Sequence, residues 1–483
     1  MLTACVMMKL VLLLNSVLCL FLFLLDRFCE KAPVILMRIC PTANLCSAVR
    51  ICIARVKCCV VILYSAKYVT SLSASCRTSF AGRVALLYVV TFSIILPVLF
   101  HNVRHSAFYL HPNKTVLIEL MKNANLQRIA QAERYFSMLN SSGKVDKQVA
   151  SSSIESAGAI NVALTIITVS RNRDRTHNYK PKFLTQTVWK FHSLLEKWRL
   201  RSERVHIQLS VCNVDPVVAL YREAHNLSQF VPMFSRFNDT HFSWLHPLEK
   251  EKQDYVFCLN KSLEVHDEAD YVFLVEDDAL PTDDIFDVLQ HVLLMHSEQS
   301  FVRGEFHSKP ADLAFVKFFH PERLLNFVSL QPERLPELLS YAVLLSTLLT
   351  FAYTVSCGSA ASGSAATVHL CWIQLFLFSS IVMLACGRTA VSEWRRLASP
   401  HFYSYTTAPS CCTPALLFPR SSARRTVDYL NDRTCRNNFG KDSLLDRMQR
   451  DLLMTSYLVQ PNTFTHIGFY SSLRQRIVDP YLV

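Results

Sequence analysis

Two uninterrupted apolar stretches in the middle of the chain restrict its fold more than any other feature. Leu338–Ser356 and Val368–Gly387 contain no Asp, Glu, Lys or Arg, and the small-residue segment Cys357–Thr367 separates them. About 20 apolar residues suffice to cross a bilayer. Inside hydrocarbon every backbone amide must be satisfied within the segment, so both arms are expected to be helices of a transmembrane hairpin over 336–387. Charges flank the pair: Glu333, Arg334 and Glu337 before it, Arg388, Glu393, Arg395 and Arg396 after it. Val84–Phe100, 17 uncharged residues, reads as an amino-terminal membrane anchor. Val6–Leu25, broken by Lys9 and Asn15, fits a signal peptide, a second anchor or a spurious extension. The composition agrees: 51% of the 483 residues are hydrophobic and 18% charged, against about 25% charged in soluble domains.

The formal charge of +12 is unevenly placed. Residues 1–80 hold nine Lys or Arg and two acids, and nine of the 17 cysteines lie before residue 77. The basicity therefore belongs to a Cys-rich flanking segment, 1–83, and no nucleic-acid partner is expected. Positive charge beside apolar spans is retained in the cytosol, which puts residue 101 onward in the lumen. The N-x-S/T acceptors Asn113, Asn140, Asn226, Asn238 and Asn260 all fall between the anchor and the hairpin, as lumenal glycosylation requires. In that oxidising setting Cys411 and Cys412 either pair with each other or join Cys435, Cys212 or Cys258. With only nine glycines and no Lys-Ser/Thr after Gly358–Gly363, a phosphate-binding P-loop is excluded.

Between 101 and 335 the pattern turns to α/β. Tyr109–Leu139 reads as a helical stem and 141–156 as a polar linker, so 101–156 forms a stem. Strands are expected at Asn161–Val169, Val205–Val214, Asp270–Val275 and Ala311–Phe319. Helices are expected at Thr185–Arg199, Asp254–Val265 and Asp283–Met295. This alternation predicts a mostly parallel central sheet, built from 157–335 and completed by 388–483. Ligands of such sheets collect beyond the carboxyl ends of the strands.

Glu276, Asp277 and Asp278 stand at such an end, directly after the apolar run DYVFLV. Adjacent carboxylates repel, and a partly buried trio calls for a cation. Mn²⁺ or Mg²⁺ accepts carboxylate oxygens and substrate phosphates together, and a metal there would neutralise a departing diphosphate.

The run LVEDDALP behind a membrane anchor resembles the sugar-nucleotide motif of GT-A glycosyltransferases. The segments Phe318–Leu324 (FFHPERL), the charge-free hairpin, Cys411–Ala415 (CCTPA) and His466–Arg474 (HIGFYSSLR) follow in order. Together they resemble the post-GPI-attachment to proteins factor that is the Golgi GPI N-acetylgalactosamine transferase family, from about Asn161 to the carboxyl terminus. The resemblance implies a GT-A-like domain interrupted by the hairpin. It implies a multi-pass Golgi membrane enzyme with a lumenal catalytic domain, transferring N-acetylgalactosamine from UDP-GalNAc to a mannose of a GPI glycan, with inversion. It implies that Asp278, Glu276 and His466 ligate the metal. Arg171, Asn172, Asp215, Glu276, Asp277 and Arg474 would hold the UDP-sugar, and Asp277 and Asp442 would act in catalysis, Asp442 as the general base. Lys317 and His320 are candidates for the acceptor side. The partners implied are a GPI-linked acceptor, a UDP-sugar and membrane lipid. Two other readings remain open: another Golgi UDP-sugar transferase, such as an N-acetylglucosaminyltransferase acting on N-glycans, and a non-enzymatic membrane adaptor.

Overall fold

A computed structural model of the chain describes residues 87–142, 159–171, 180–202, 204–237, 246–302, 313–328, 334–357, 365–436, 439–471 and 476–479. The segment 1–83, the Val6–Leu25 stretch, Asn172 and Arg474 lie outside them. The chain divides into two compact units, one comprising Asn113–Pro321 with Ser392–Val483, the other the residues before 113 with Glu322–Val391.

The first unit is an α/β sandwich. Its eight-stranded sheet has the order β3-β2-β1-β4-β8-β6-β9-β7. The strands are β1 (Ile160–Thr168), β2 (Val205–Asn213), β3 (Met233–Ser235), β4 (Tyr271–Glu276), β6 (Leu313–Lys317), β7 (Ser404–Thr407), β8 (Ala415–Pro419) and β9 (Thr455–Gln460). Only β7 and β8 run against the others, so the sheet is mostly parallel. Two short ribbons complete the set: β5 (Ala279–Pro281) pairs with β10 (Phe464–His466), and β11 (Tyr470–Ser471) with β12 (Arg476–Ile477).

The strand sequences explain the burial. Successive side chains leave opposite faces of a strand. In β4, Phe273 and Val275 enter one core cluster while Val272 and Leu274 enter the other. In β1, Val162, Leu164 and Ile166 face one way and Ala163 the other. A strand covered on both faces reads as a continuous apolar run rather than an alternating one, which is the form of NVALTIITV and YVFLV. Helices Phe183–Arg199 and Ile285–Val302 feed one cluster through Phe191, Trp198 and Phe286. Helices Pro247–Val265, Arg420–Asn431 and Lys441–Asp451 feed the other through Tyr255, Leu430 and Met448.

Several boundaries move from the sequence expectation for local reasons. The helix expected from Asp254 starts at Pro247, because proline suits the first helical position. The stem helix begins at Lys114 rather than Tyr109, since Asn113 caps it by accepting from the Thr115 amide at 3.2 Å. Asp283 and Asp284 precede their helix, which starts at Ile285. A disulfide joins Cys212 at the end of β2 to Cys258 on the adjoining helix. Cys411 pairs with Cys412, and Cys435 stays a buried free thiol.

Among the described residues the second unit contains three apolar helices: Leu87–Phe100, Arg334–Cys357 and Ala365–Cys386. The latter two hold windows long and apolar enough to cross a membrane, Arg334–Ala352 and Val368–Cys386. Only 22% and 11% of those windows is buried within the protein, unlike a soluble core helix. They pack on each other, with Trp372 Nε1 donating to Thr347 Oγ1 at 3.1 Å. Tyr88 and Phe92 of the first helix meet Phe378 edge-on. Gly387 has φ +88°, and a Cβ there would lie 2.5 Å from the His105 carbonyl oxygen, so only glycine fits that turn.

Candidate functional site

The chain runs outward from β1 through β2 to β3, then returns to place β4 on the other side of β1. In sheets of this kind ligands bind where strand order reverses, which here is beyond the carboxyl ends of β1 and β4. The Ser170–Arg171 turn follows β1 and Glu276–Asp278 follows β4, so the topology alone brings these residues together.

Asp277 and Asp278 are buried, at 2% and 6% exposure. The backbone of the acidic turn is tied to the sheet: the Glu276 amide donates to Pro414 O at 2.7 Å and the Asp277 amide to Ile167 O at 3.0 Å. Thr187 Oγ1 donates to the Asp277 carbonyl at 2.7 Å. Thr168 Oγ1 donates to Asp277 Oδ2 at 2.7 Å and itself meets Tyr221 Oη at 2.6 Å.

Arg171 lies across both carboxylates. Its guanidinium donates to Asp277 Oδ1, to Asp278 Oδ2 at 2.9 Å and to Tyr470 O at 3.2 Å, and its Cζ is 4.9 Å from the Phe183 ring centre. Charges taken out of water stay ionised only when paired and hydrogen-bonded, and the two acids divide on that basis. Burial pushes the Asp277 carboxyl up to about 7, assisted by the charge on Asp278 and opposed by Arg171. Burial acts on Asp278 too, but Arg171 and His466 outweigh it and hold that carboxyl below the ordinary range.

The third wall comes from the carboxyl-terminal segment. The β10–β5 ribbon sets His466 opposite Ala279, and His466 Nε2 lies 3.6 Å from Asp278 Oδ2 with its ring stacked on Phe319. The Ile467 amide donates to Asp278 O at 2.8 Å. A Cβ on Gly468 would fall 2.1 Å from Asp278 Oδ2. Glycine is required here for close approach to a carboxylate.

Glu276 has a cation of its own. It accepts from Lys441 Nζ at 2.8 Å, and Lys441 also pairs with Glu251 at 3.0 Å while sitting over the Tyr255 ring. Among the described residues no three His, Cys, Asp or Glu side chains converge as a ligand set. Of the expected metal ligands, Asp278 and His466 meet and Glu276 does not join them.

Asp215 stands behind the site, accepting from the Ser170 amide at 3.0 Å and the Val217 amide at 2.8 Å, so it fixes the turn that carries Arg171. Asp442 opens helix Lys441–Asp451. Its Oδ2 accepts from the Cys412 amide at 2.9 Å and its Oδ1 from Thr413 Oγ1 at 2.8 Å. Lys317 is buried, donates to the Pro409 and Cys411 carbonyls, and is pulled down to about 8 by that burial against the opposing charges of Asp446 and Asp442. The His320 amide and carbonyl are both held by the Asn462 side chain.

Sequence reasoning missed Lys441, Thr168, Thr187 and Tyr221. Nothing local marks them, since each acts through a partner more than fifty residues away. Gly468 carried a signal, being one of only nine glycines and lying two residues after His466.

Among the described residues two buried atoms at this site have no hydrogen-bond partner: Asp278 Oδ1 and Arg171 Nε. Native proteins rarely leave such atoms unmatched. An acceptor that attracts a cation and a donor that attracts an anion are thus left over side by side. That pairing complements a divalent ion carried with a phosphate-bearing ligand, and a hard ion needs few protein oxygens when phosphates and waters supply the rest.

The family model described as GPI-N-acetylgalactosamine transferase PGAP4 matches residues 162–465 of the chain.

Proposed function

The chain belongs to the GPI-N-acetylgalactosamine transferase PGAP4 family, and from that premise we propose that it transfers N-acetylgalactosamine from UDP-GalNAc to a mannose of GPI glycans in the Golgi lumen. The α/β unit is read as a GT-A domain, and the two apolar helices of Glu322–Val391 as a transmembrane hairpin inserted into it. The parallel order β3-β2-β1-β4, with the acidic turn at the tip of β4, supports the GT-A reading. The observation that carries the proposal is the pair of unmatched buried atoms, Asp278 Oδ1 and Arg171 Nε, at the strand-order reversal.

Mn²⁺ or Mg²⁺ fits the donor chemistry present, and when bound it neutralises charge developing on the departing UDP. Asp278 and His466 would hold it. Arg171 binds the diphosphate, turning its free Nε–H toward a phosphate oxygen. Asp277 orients Arg171 and is itself held by Thr168 and, through its carbonyl, by Thr187. Glu276, Asn172 and Arg474 are proposed on the nucleotide side, with Asp215 acting through the Arg171 turn. The acceptor hydroxyl attacks the anomeric carbon as the bond to UDP breaks, and inversion requires its proton to pass to a base. Asp442, the base that the resemblance implies, accepts hydrogen bonds on both oxygens from the Cys412–Thr413 turn, an arrangement that suits a positioning role instead.

The deciding assay offers full-length protein a panel of UDP-sugars and a lipid-linked mannose acceptor, with and without Mn²⁺. Transfer selective for UDP-GalNAc, lost with EDTA and restored by Mn²⁺, is expected. Equal use of UDP-GlcNAc with a soluble N-glycan acceptor would overturn the reading.

A further inference from the structure

Directly after the second apolar helix the chain exposes three large apolar side chains on one short segment. Trp394, Leu397 and Phe402 are 42%, 46% and 54% exposed. Trp394 and Phe402 lean together, with ring centres 5.6 Å apart. The segment comprises helix Trp394–Ala398 and the turn Pro400–Phe402, and it belongs to the α/β unit.

Its other side is bolted down. Arg396 pairs with Asp284 at 2.9 Å and with Glu393 at 3.0 Å, and donates to Asn462 O. Tyr403 donates its hydroxyl to Asp284. A mobile surface loop would not need this many partly buried anchors. The exposed aromatic face is thus held rigidly outward, and clustered exposed apolar residues of this kind mark a surface that meets something apolar.

Chain continuity identifies the occupant. Trp394 follows Cys386, the last residue of the apolar helix, by eight positions, and five of the intervening residues form helix Arg388–Ser392. Such a connection reaches about 18 Å at most. If helix Ala365–Cys386 spans a bilayer, the patch cannot leave the neighbourhood of the headgroup layer. Tryptophan at that depth, with apolar neighbours and arginines alongside, has the chemistry of an interfacial anchor.

We propose that Trp394, Leu397 and Phe402 form a lipid-seating surface by which the α/β unit itself rests in the phospholipid headgroup layer. This deepens the proposed function and rests on its membrane reading of helix Ala365–Cys386, not on the identity of the donor sugar. The seat is coupled to the site. Asp284, which holds Arg396 and Tyr403, also accepts from Thr282, whose amide donates to Thr463 O at the start of the β5–β10 ribbon that carries His466. Resting on the leaflet would hold the site at a set height above an acceptor tethered to lipid.

The test uses full-length protein in phosphatidylcholine nanodiscs whose acyl chains carry bromine either near the glycerol end or near the bilayer centre. The Trp394 emission is isolated by subtracting a Trp394→Phe variant, and Trp372→Phe isolates a tryptophan of the apolar helix in the same way. The expected result is that Trp394 emission loses about half its intensity with shallow bromine and much less with deep bromine, as an interfacial ring should. If Trp372 is quenched but Trp394 is not, the seat is refuted and the membrane reading stands. If neither is quenched, both fall. Trp394 emission that ignores bromine but shifts as protein is diluted to one copy per disc would replace lipid by a second copy of the chain. Transfer activity in the same discs reports separately on the enzymatic reading.

Discussion

The tip of β4 and the amino end of helix Lys441–Asp451 both present carboxylates in polar turns, yet they are finished differently. At the helix end, Asp442 gives each oxygen a donor, and Lys441 beside it is matched by Glu276 and Glu251. At the strand tip, Asp278 keeps one buried oxygen and Arg171 one N–H unmatched among the described residues. A saturated turn has the form of architecture, whereas an unsaturated one retains capacity for a ligand. Residue type alone does not separate them, because Asp278 and Asp442 are the same amino acid.

Four substitutions test that contrast, beginning with the largest expected effect. Asp278→Ala should lower transfer about a thousandfold while the melting temperature stays near that of the parent. Retained transfer would make the strand tip as architectural as the helix end. Gly468→Ala drives a methyl group into Asp278 Oδ2, and a shift of this kind costs about a hundredfold in rate. Denaturant melts on that variant should be near normal, separating displacement of the carboxylate from collapse of the fold.

Lys441→Met strands Glu276 and Glu251 without their buried cation. The expected loss is about 2 kcal/mol of stability, discounted because both glutamates are partly solvated, and urea titration measures it. Asp442→Asn should show the smallest change, about 1 kcal/mol from a weakened hydrogen bond to the Cys412–Thr413 turn. Turnover per folded molecule would then remain within a few-fold of the parent. A collapse of turnover at unchanged stability would instead establish Asp442 as the base and erase the distinction between the two ends.

The β1 and β4 strands were legible because burial on both faces leaves an unbroken apolar run with polar punctuation at its end. The acidic turn was legible for the same reason, and His466 through its neighbourhood of motif residues. The partner of Glu276 was not legible, because its carboxylate is met by Lys441, 165 positions along the chain. Thr168 and Thr187 gave no warning because a threonine that orients a carboxylate looks, in sequence, like any other. The late start of the stem helix was decided by Asn113, a capping residue that the apolar pattern does not register.

One consequence of the strand order concerns biosynthesis. β6 lies before residue 321, but both its neighbours, β8 and β9, lie after 391. When the ribosome has delivered only the first part of the sheet, β4 therefore has an uncovered margin and β6 has nothing to pair with. A chain stalled or truncated within the apolar helices would present three bare strand borders to its neighbours, one on β4 and two on β6, a template for aggregation. Quality control of the nascent chain must protect those borders until the last hundred residues arrive.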